Sequence, residues 1–308
     1  MANLKQLKEK QESFIKTAKV TKAMELISSI KMRSAQEDAL TARFYSFKVF
    51  GILKRLSGMF KANIDDVFTK EMNHQGKNIY ILISPNKGLT GGMTARLFKK
   101  LEKEIEDKKI ENIEFVVIGK KGYEFLTKKN YKVIKFYKDI NEKTNLEIFE
   151  EVSNFVYEKY QKKEVSGIKV FYTDFINTTE QKPNSRVILP IHYETVKEIL
   201  KSIKPTKGKF SDIKQIEINN KVPAYIFEPD IHTVIKALIP FVLNVTIYQT
   251  MLEGFASEHS ARMIAMKNAT DKAIEKSEEA RKKFNKQRQA NITNEISEIV
   301  SGIEAMKK

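Results

Sequence analysis

Apolar positions recur at helical spacing at both ends of the chain and in short β-like runs between them. Residues 3 to 57 contain no Pro and only Gly51 as a breaker. Small or apolar residues fall at Leu4, Leu7, Phe14, Ala18, Thr21, Met24, Ile27, Ile30, Ala35, Ala39 and Ala42. Steps of mostly three and four predict one face of a long helix. Lys5, Lys8, Lys10, Lys16, Lys19 and Lys22 fall on its other faces. From Asp230 to Ser301 the only breakers are Pro240 and Gly254. That face runs Ile231, Val234, Leu238, Phe241, Val245, Tyr248, Leu252 and Phe255, then Met263, Met266, Ala269, Ala273, Ala280 and Phe284. Ile292, Ile296, Ile299 and Ile303 complete it. Pro240 is expected to kink this helix or to mark its start.

Between the ends, residues 77–228 alternate. Strand signals lie at Asn78–Ser84, Glu114–Gly119, Tyr131–Tyr137, Lys169–Phe175 and Arg186–Ile191. Helical patterns separate them at Thr94–Lys108, Gly122–Lys129 and Asn145–Tyr160. Such alternation predicts an α/β domain with a largely parallel sheet. Residues 60–77 read as a linker, and Lys201–Asn220, with Pro205 and Gly208, as a loop or linker.

Length decides how the ends are used. A helix of about 70 residues spans roughly 105 Å, whereas a compact domain of about 150 residues is near 40 Å across. The C-terminal stripe therefore needs another helix, and the N-terminal stripe is the candidate of matching length. The expected fold is α/β plus coiled coil: long N- and C-terminal helices in an antiparallel coiled coil, with a central Rossmann-like α/β domain. The expected division is 1–58, 77–228 and 229–308. Two ordinary bundle helices broken at the Gly or Pro are the alternative.

Composition narrows the class. With 41% apolar residues and no apolar run of spanning length, the chain reads as neither disordered nor membrane-embedded. The N-terminal MANLKQLKEKQESF lacks an apolar signal core. Cysteine is absent, which removes thiolate metal sites and fits a reducing cytosol. The net charge is +16, but only eight of 55 basic residues are Arg. Arg forks are what base and phosphate readers favour. A Lys excess suits a solvated basic surface, a diffuse acidic partner or a compositional bias. A basic coiled-coil nucleic-acid binder remains an alternative, though no nucleic acid is expected. Residues 276–289 carry a net +4 with only Ala280 and Phe284 apolar. Such an end suits insertion into a partner, or else is a solvated face.

Catalytic signals are weak. The Pro85–Gly92 turn has glycines at 88, 91 and 92, which fit neither G-x-G-x-x-G nor a P-loop. His74, His192, His232 and His259 share no metal-ligand spacing. No cofactor or metal is expected, and a nucleotide-using enzyme is a remote alternative.

Four blocks resemble the gamma subunit family of F-type rotary ATP synthases. They are VTKAMELISSIKMRSAQ (20–36), ILISPNKGLTGGMTARLFKKL (81–101), FEPDIHTVIKALIP (227–240) leading into ASEHSARMIAMKNATDKA (256–273), and FNKQRQANITNEISEIVSG (284–302). The resemblance implies a non-catalytic rotor shaft inside a ring of alpha and beta subunits, coupled to a membrane c-ring with an epsilon-type subunit. It implies a cytoplasmic protein, peripheral on the inner face of the cell membrane. By position, Arg288, Gln289 and Thr293 match contacts to the ring's catch loops, with Glu295 beside them. Met24 and Lys87 match contacts to an acidic lever of a beta subunit. Thr90 stands where the family usually carries Cys, and Ile27-Ser28-Ser29-Ile30 is bulkier than the family's small-residue run. These departures keep a derived F-type-like motor driving another machine as an alternative.

Overall fold

The computed structural model describes residues 2–59, 77–108, 112–138, 140, 146–190, 228 and 231–306. Of the expected linker over 60–77, residues 60–76 lie outside them and Lys77 opens a strand; the loop over 201–220, His74 and His192 also lie outside. Helix α1 spans Ala2–Met59 and is followed by β1 (Lys77–Ile83), α2 (Met93–Lys108), β2 (Ile113–Ile118), α3 (Lys120–Lys128) and β3 (Val133–Tyr137). Then come α4 (Leu146–Gln161), β4 (Val165–Phe175), β5 (Gln181–Leu189) and α5 (Ile231–Met306). Both terminal helices are unbroken, with 58 and 76 residues. Helix α5 runs through Pro240 rather than starting there.

The chain forms two compact units, residues 1–29 with 262–308, and residues 30–261. In the first, α1 and α5 lie side by side. Thr21 Oγ1 meets Thr270 Oγ1 at 2.7 Å. Met266, Ala273 and Ala280 are buried on α5. Two of these three are alanines, which let helix axes approach closely.

The second unit holds a five-stranded sheet ordered β3-β2-β1-β4-β5. The β1–β2, β2–β3 and β1–β4 pairs are parallel, and β4–β5 is antiparallel. The inner strands are apolar on both faces, as expected where both are covered. Ile79, Ile81 and Ile83 of β1, with Val116 and Ile118 of β2, face a core shared with α1, α4 and α5. Tyr80 and Leu82, with Phe115 and Val117, face the second core, which includes Leu97 and Leu101 of α2 and Leu126 of α3. Period-two alternation thus sends successive residues of one strand into different cores. Here too α1 and α5 run antiparallel: Tyr45 packs edge-on against Phe241, and Asp38 acts on Tyr248.

Three local expectations change. Strands β4 and β5 are longer than the sequence pattern indicates, because they form a hairpin. Asn177 Oδ1 closes its turn by accepting from Thr179 N at 2.9 Å and Glu180 N at 2.9 Å. A side chain does there what Gly or Pro usually signals. On α1, Ile27 and Ile30 are exposed, whereas Ser28, Met32, Ala35, Ala39 and Ala42 are buried. Successive steps of three swing about 60° off a stripe each time, while 24-28-32-35-39-42 returns to the same face after five turns. On α5, Phe241, Ile292, Ile296, Ile299 and Ile303 are exposed. Conversely, from Val242 to Arg262 buried residues occur on every face of α5, the mark of a helix enclosed by core.

Candidate partner-binding surfaces

The last third of α5 presents charge without neutralising it. Lys272 pairs with Glu275 at 2.6 Å and Lys276 with Glu279 at 2.8 Å, each one turn apart. The hydrogen bond from Lys276 holds the Glu279 carboxyl below its ordinary range. Beyond them, Arg281, Lys282, Lys286 and Arg288 make no ion pair among the described residues. Arg288, Gln289, Thr293 and Glu295 are all exposed. At 100° per residue, Arg288 and Glu295 share a face about 10 Å apart, too far to pair with each other, and Gln289 and Thr293 share the adjoining face. Thr293 Oγ1 donates to Gln289 O at 3.0 Å, keeping its hydroxyl on the helix. These four side chains therefore form two outward-facing polar borders, with exposed Ile292 and Ile296 on the strip between them.

Met24 lies in the same unit, half-buried on α1. Its neighbours Leu26 and Ile27 are each 56% exposed. The sequence pattern placed Ile27 in the helix pair; counting the 3.6-residue period from Ala35 and Ala39 backwards is the signal that places it outside. Ile27 and Ile30 thus form exposed apolar surface, and the buried stripe runs through Ser28 and Met32.

Lys87 belongs to the second unit and stands exposed in the turn after β1. The turn is held from below. Ser84 Oγ accepts from Gly122 N at 2.7 Å and donates to Ile118 O at 3.1 Å. Asn86 Nδ2 donates to Ile140 O, and Asn86 Oδ1 accepts from Lys120 N. Gly119, at φ +95, lets β2 end against Ser84, since a Cβ there would fall 1.8 Å from Ser84 O. Leu89 and Gly91 adopt positive φ, and Thr90 turns inward, 4% exposed, with its hydroxyl 3.0 Å from that of Thr94. A rigid base therefore carries an exposed Lys87-Gly88-Leu89 tip.

Among the described residues no group of three or more His, Asp or Glu is placed to hold a metal, and no helix is long and apolar enough to cross a membrane.

Comparison with known proteins fits these features. A model of the ATP synthase family matches residues 3–306. An ATP synthase gamma chain of Histophilus somni (strain 2336) is 35% identical over 99% of this chain and all of the relative. One from Staphylococcus aureus (strain JH9) is 30% identical over the full length of both. Among solved structures, a chain of the Euglena gracilis mitochondrial ATP synthase, in its OSCP/F1/c-ring assembly, aligns with TM-score 0.63 at 16% identity, covering 99% of this chain and 95% of that one. A chain of the rotor of the same enzyme aligns with TM-score 0.59 at 15% identity, covering 94% and 99%.

Proposed function

The chain belongs to the family of ATP synthase gamma chains, the central rotor stalks of F-type ATP synthases, and on that premise we propose which of its surfaces drive the surrounding ring. The working division is a shaft of residues 1–58 and 229–308, and a Rossmann-like domain of residues 77–228. Arg288, Gln289, Thr293 and Glu295 contact the catch loops of an alpha/beta ring. Met24 and Lys87 meet the acidic lever of a beta subunit. The observation that carries this reading is the exposed end of α5, where four cations lack an internal counter-ion and the apolar residues beside them are uncovered.

The physics suits a rotor. An exposed cation attracts a nearby carboxylate by about 1 to 4 kcal/mol at 4 Å, depending on local dielectric. It loses most of that over a Debye length of about 8 Å. Such contacts hold at one angle and release at the next, whereas a fully desolvated pair would lock. The chain itself then performs no chemistry: it transmits torque to partner subunits that turn over ATP, and it sits peripherally on a membrane sector containing an ion-translocating ring. Purification of the native complex under mild conditions tests this. Co-purifying alpha, beta and c-ring chains are expected, and a chain recovered without any of them would overturn the assignment.

A further inference from the structure

A cavity of about 460 Å³ opens within the 30–261 unit between α1, α4 and α5. Its lining combines two carboxylates, Asp38 and Glu150, with three aromatic rings, Tyr45, Phe241 and Tyr248, and no Lys, Arg or His. That is unexpected in a chain of net charge +16. Neither carboxylate makes an ion pair among the described residues. Both are exposed at the rim.

The rings are held in place. Tyr45 and Phe241 pack edge-to-face with centroids 6.1 Å apart. Tyr248 is fixed the same way on Phe149 at 5.1 Å. Its phenol is pushed above the ordinary range by burial and by the charge of Asp38, so at neutral pH it remains uncharged. Ser46 belongs to the same wall. It is 1% exposed and lines the same cavity, yet its Oγ is buried without a hydrogen-bond partner among the described residues. A buried hydroxyl left unpaired costs about 1–3 kcal/mol.

Aromatic rings and an anionic rim complement one ligand type. Ring quadrupoles attract a cation at their faces, and carboxylates neutralise it. We propose that this cavity is a binding site for an organic ammonium ion, its head seated among Tyr45, Phe241 and Tyr248, opposite Asp38 and Glu150. The volume lies in the range of small-molecule sites, about 300–1,000 Å³. The head belongs either to a free amine or to a lysine side chain presented by a partner. The site is independent of the rotor contacts proposed above and shares none of their residues.

Titration calorimetry on the full-length chain tests it, using tetramethylammonium, putrescine and a lysine capped at both ends. The uncharged 3,3-dimethylbutanol serves as isostere of the first. Saturable one-to-one binding is expected, with tetramethylammonium ~10-fold tighter than the alcohol. Asp38→Asn with Glu150→Gln should weaken it by ~10-fold, and Tyr45→Ala with Phe241→Ala by ~5-fold. Glu9→Gln with Glu12→Gln, the same charge change elsewhere, should leave it unaltered. Tyr45 and Phe241 are 50% and 42% exposed, so that variant retains the fold, as far-UV circular dichroism would verify. Tighter binding of putrescine assigns a free polyamine as occupant, and tighter binding of the capped lysine assigns a partner's side chain; either result upholds the site. Equal affinity for the alcohol, indifference to the aromatic variant or absence of saturation would overturn it.

Discussion

The hydroxyls of Thr21 on α1 and Thr270 on α5 lie 2.7 Å apart and join the two terminal helices by a direct polar contact. Each also lies within reach of a carbonyl of its own helix, Thr17 O at 3.0 Å and Met266 O at 2.9 Å. Two hydroxyls carry two protons. One bridges the helices, and the other returns to a backbone carbonyl. Replacing either residue by Val removes the bridge and leaves its partner under-satisfied, at a cost of about 1 kcal/mol. The double Val variant should cost less than the sum, since the one bridge is lost in either single variant and can be lost only once. A double-mutant cycle from urea melts measures this; strict additivity would show the bridge to be energetically idle.

Gly119 and Gly88 should respond oppositely to the same substitution. Ala at 119 combines positive φ with a 1.8 Å clash against Ser84 O. The expected loss is about 3 kcal/mol or more. Nothing lies within 4 Å of a Cβ at Gly88, so Gly88→Ala should stay within about 0.5 kcal/mol. Chemical denaturation midpoints separate the two.

Glu114 makes stability depend on pH. Its side chain is buried among strand ends, which alone would raise its pKa, but hydrogen bonds from Lys132 at 2.7 Å and Lys77 at 3.1 Å outweigh this and lower it. A depressed carboxylate contributes stability above its unfolded value, about 4.3, and loses it as pH falls through the folded value. Glu114→Gln should therefore cost about 1 kcal/mol at pH 7, with a difference that closes below about pH 4. Melting temperatures across that range provide the measurement; a gap that persists at pH 3 would place the effect in packing.

Arg288→Ala with Gln289→Ala should lower the ATPase rate or torque of the assembled complex and leave the melting of the isolated chain unchanged, because both side chains are exposed. Solvated charge contacts are worth up to about 1 kcal/mol, so about a fivefold effect is expected. Raising salt should bring wild type toward the variant. Single-molecule rotation with unaltered torque would remove these residues from the drive.

The terminal helices were legible because their patterns are long, and β1 and β2 because runs such as Ile79–Ile83 have few alternatives. The hairpin was not, since Asn177 closes its turn through a side chain whose partners only the fold supplies. Helix faces were read correctly where small residues mark the stripe, at Ala35, Ala39 and Ala42. They were misread at Ile27 and Ile30, where hydrophobicity signals an uncovered surface. The positions of Arg288, Gln289 and Lys87 came from family likeness, and geometry adds their exposure. The cavity at Asp38 and Glu150 was invisible to sequence, as those two residues lie 112 positions apart and Tyr45 and Phe241 lie 196 apart.

Along α5 from Val242 to Ala261, buried residues occur on every face. Ser257 Oγ donates to Thr173 O of β4, and Gln181 Nε2 of β5 donates to Ser260 Oγ. A helix held in this way is keyed to its hub. Within the 30–261 unit, any twist applied to α5 must carry β4 and β5 with it, because slipping would break these bonds and drag apolar side chains past one another.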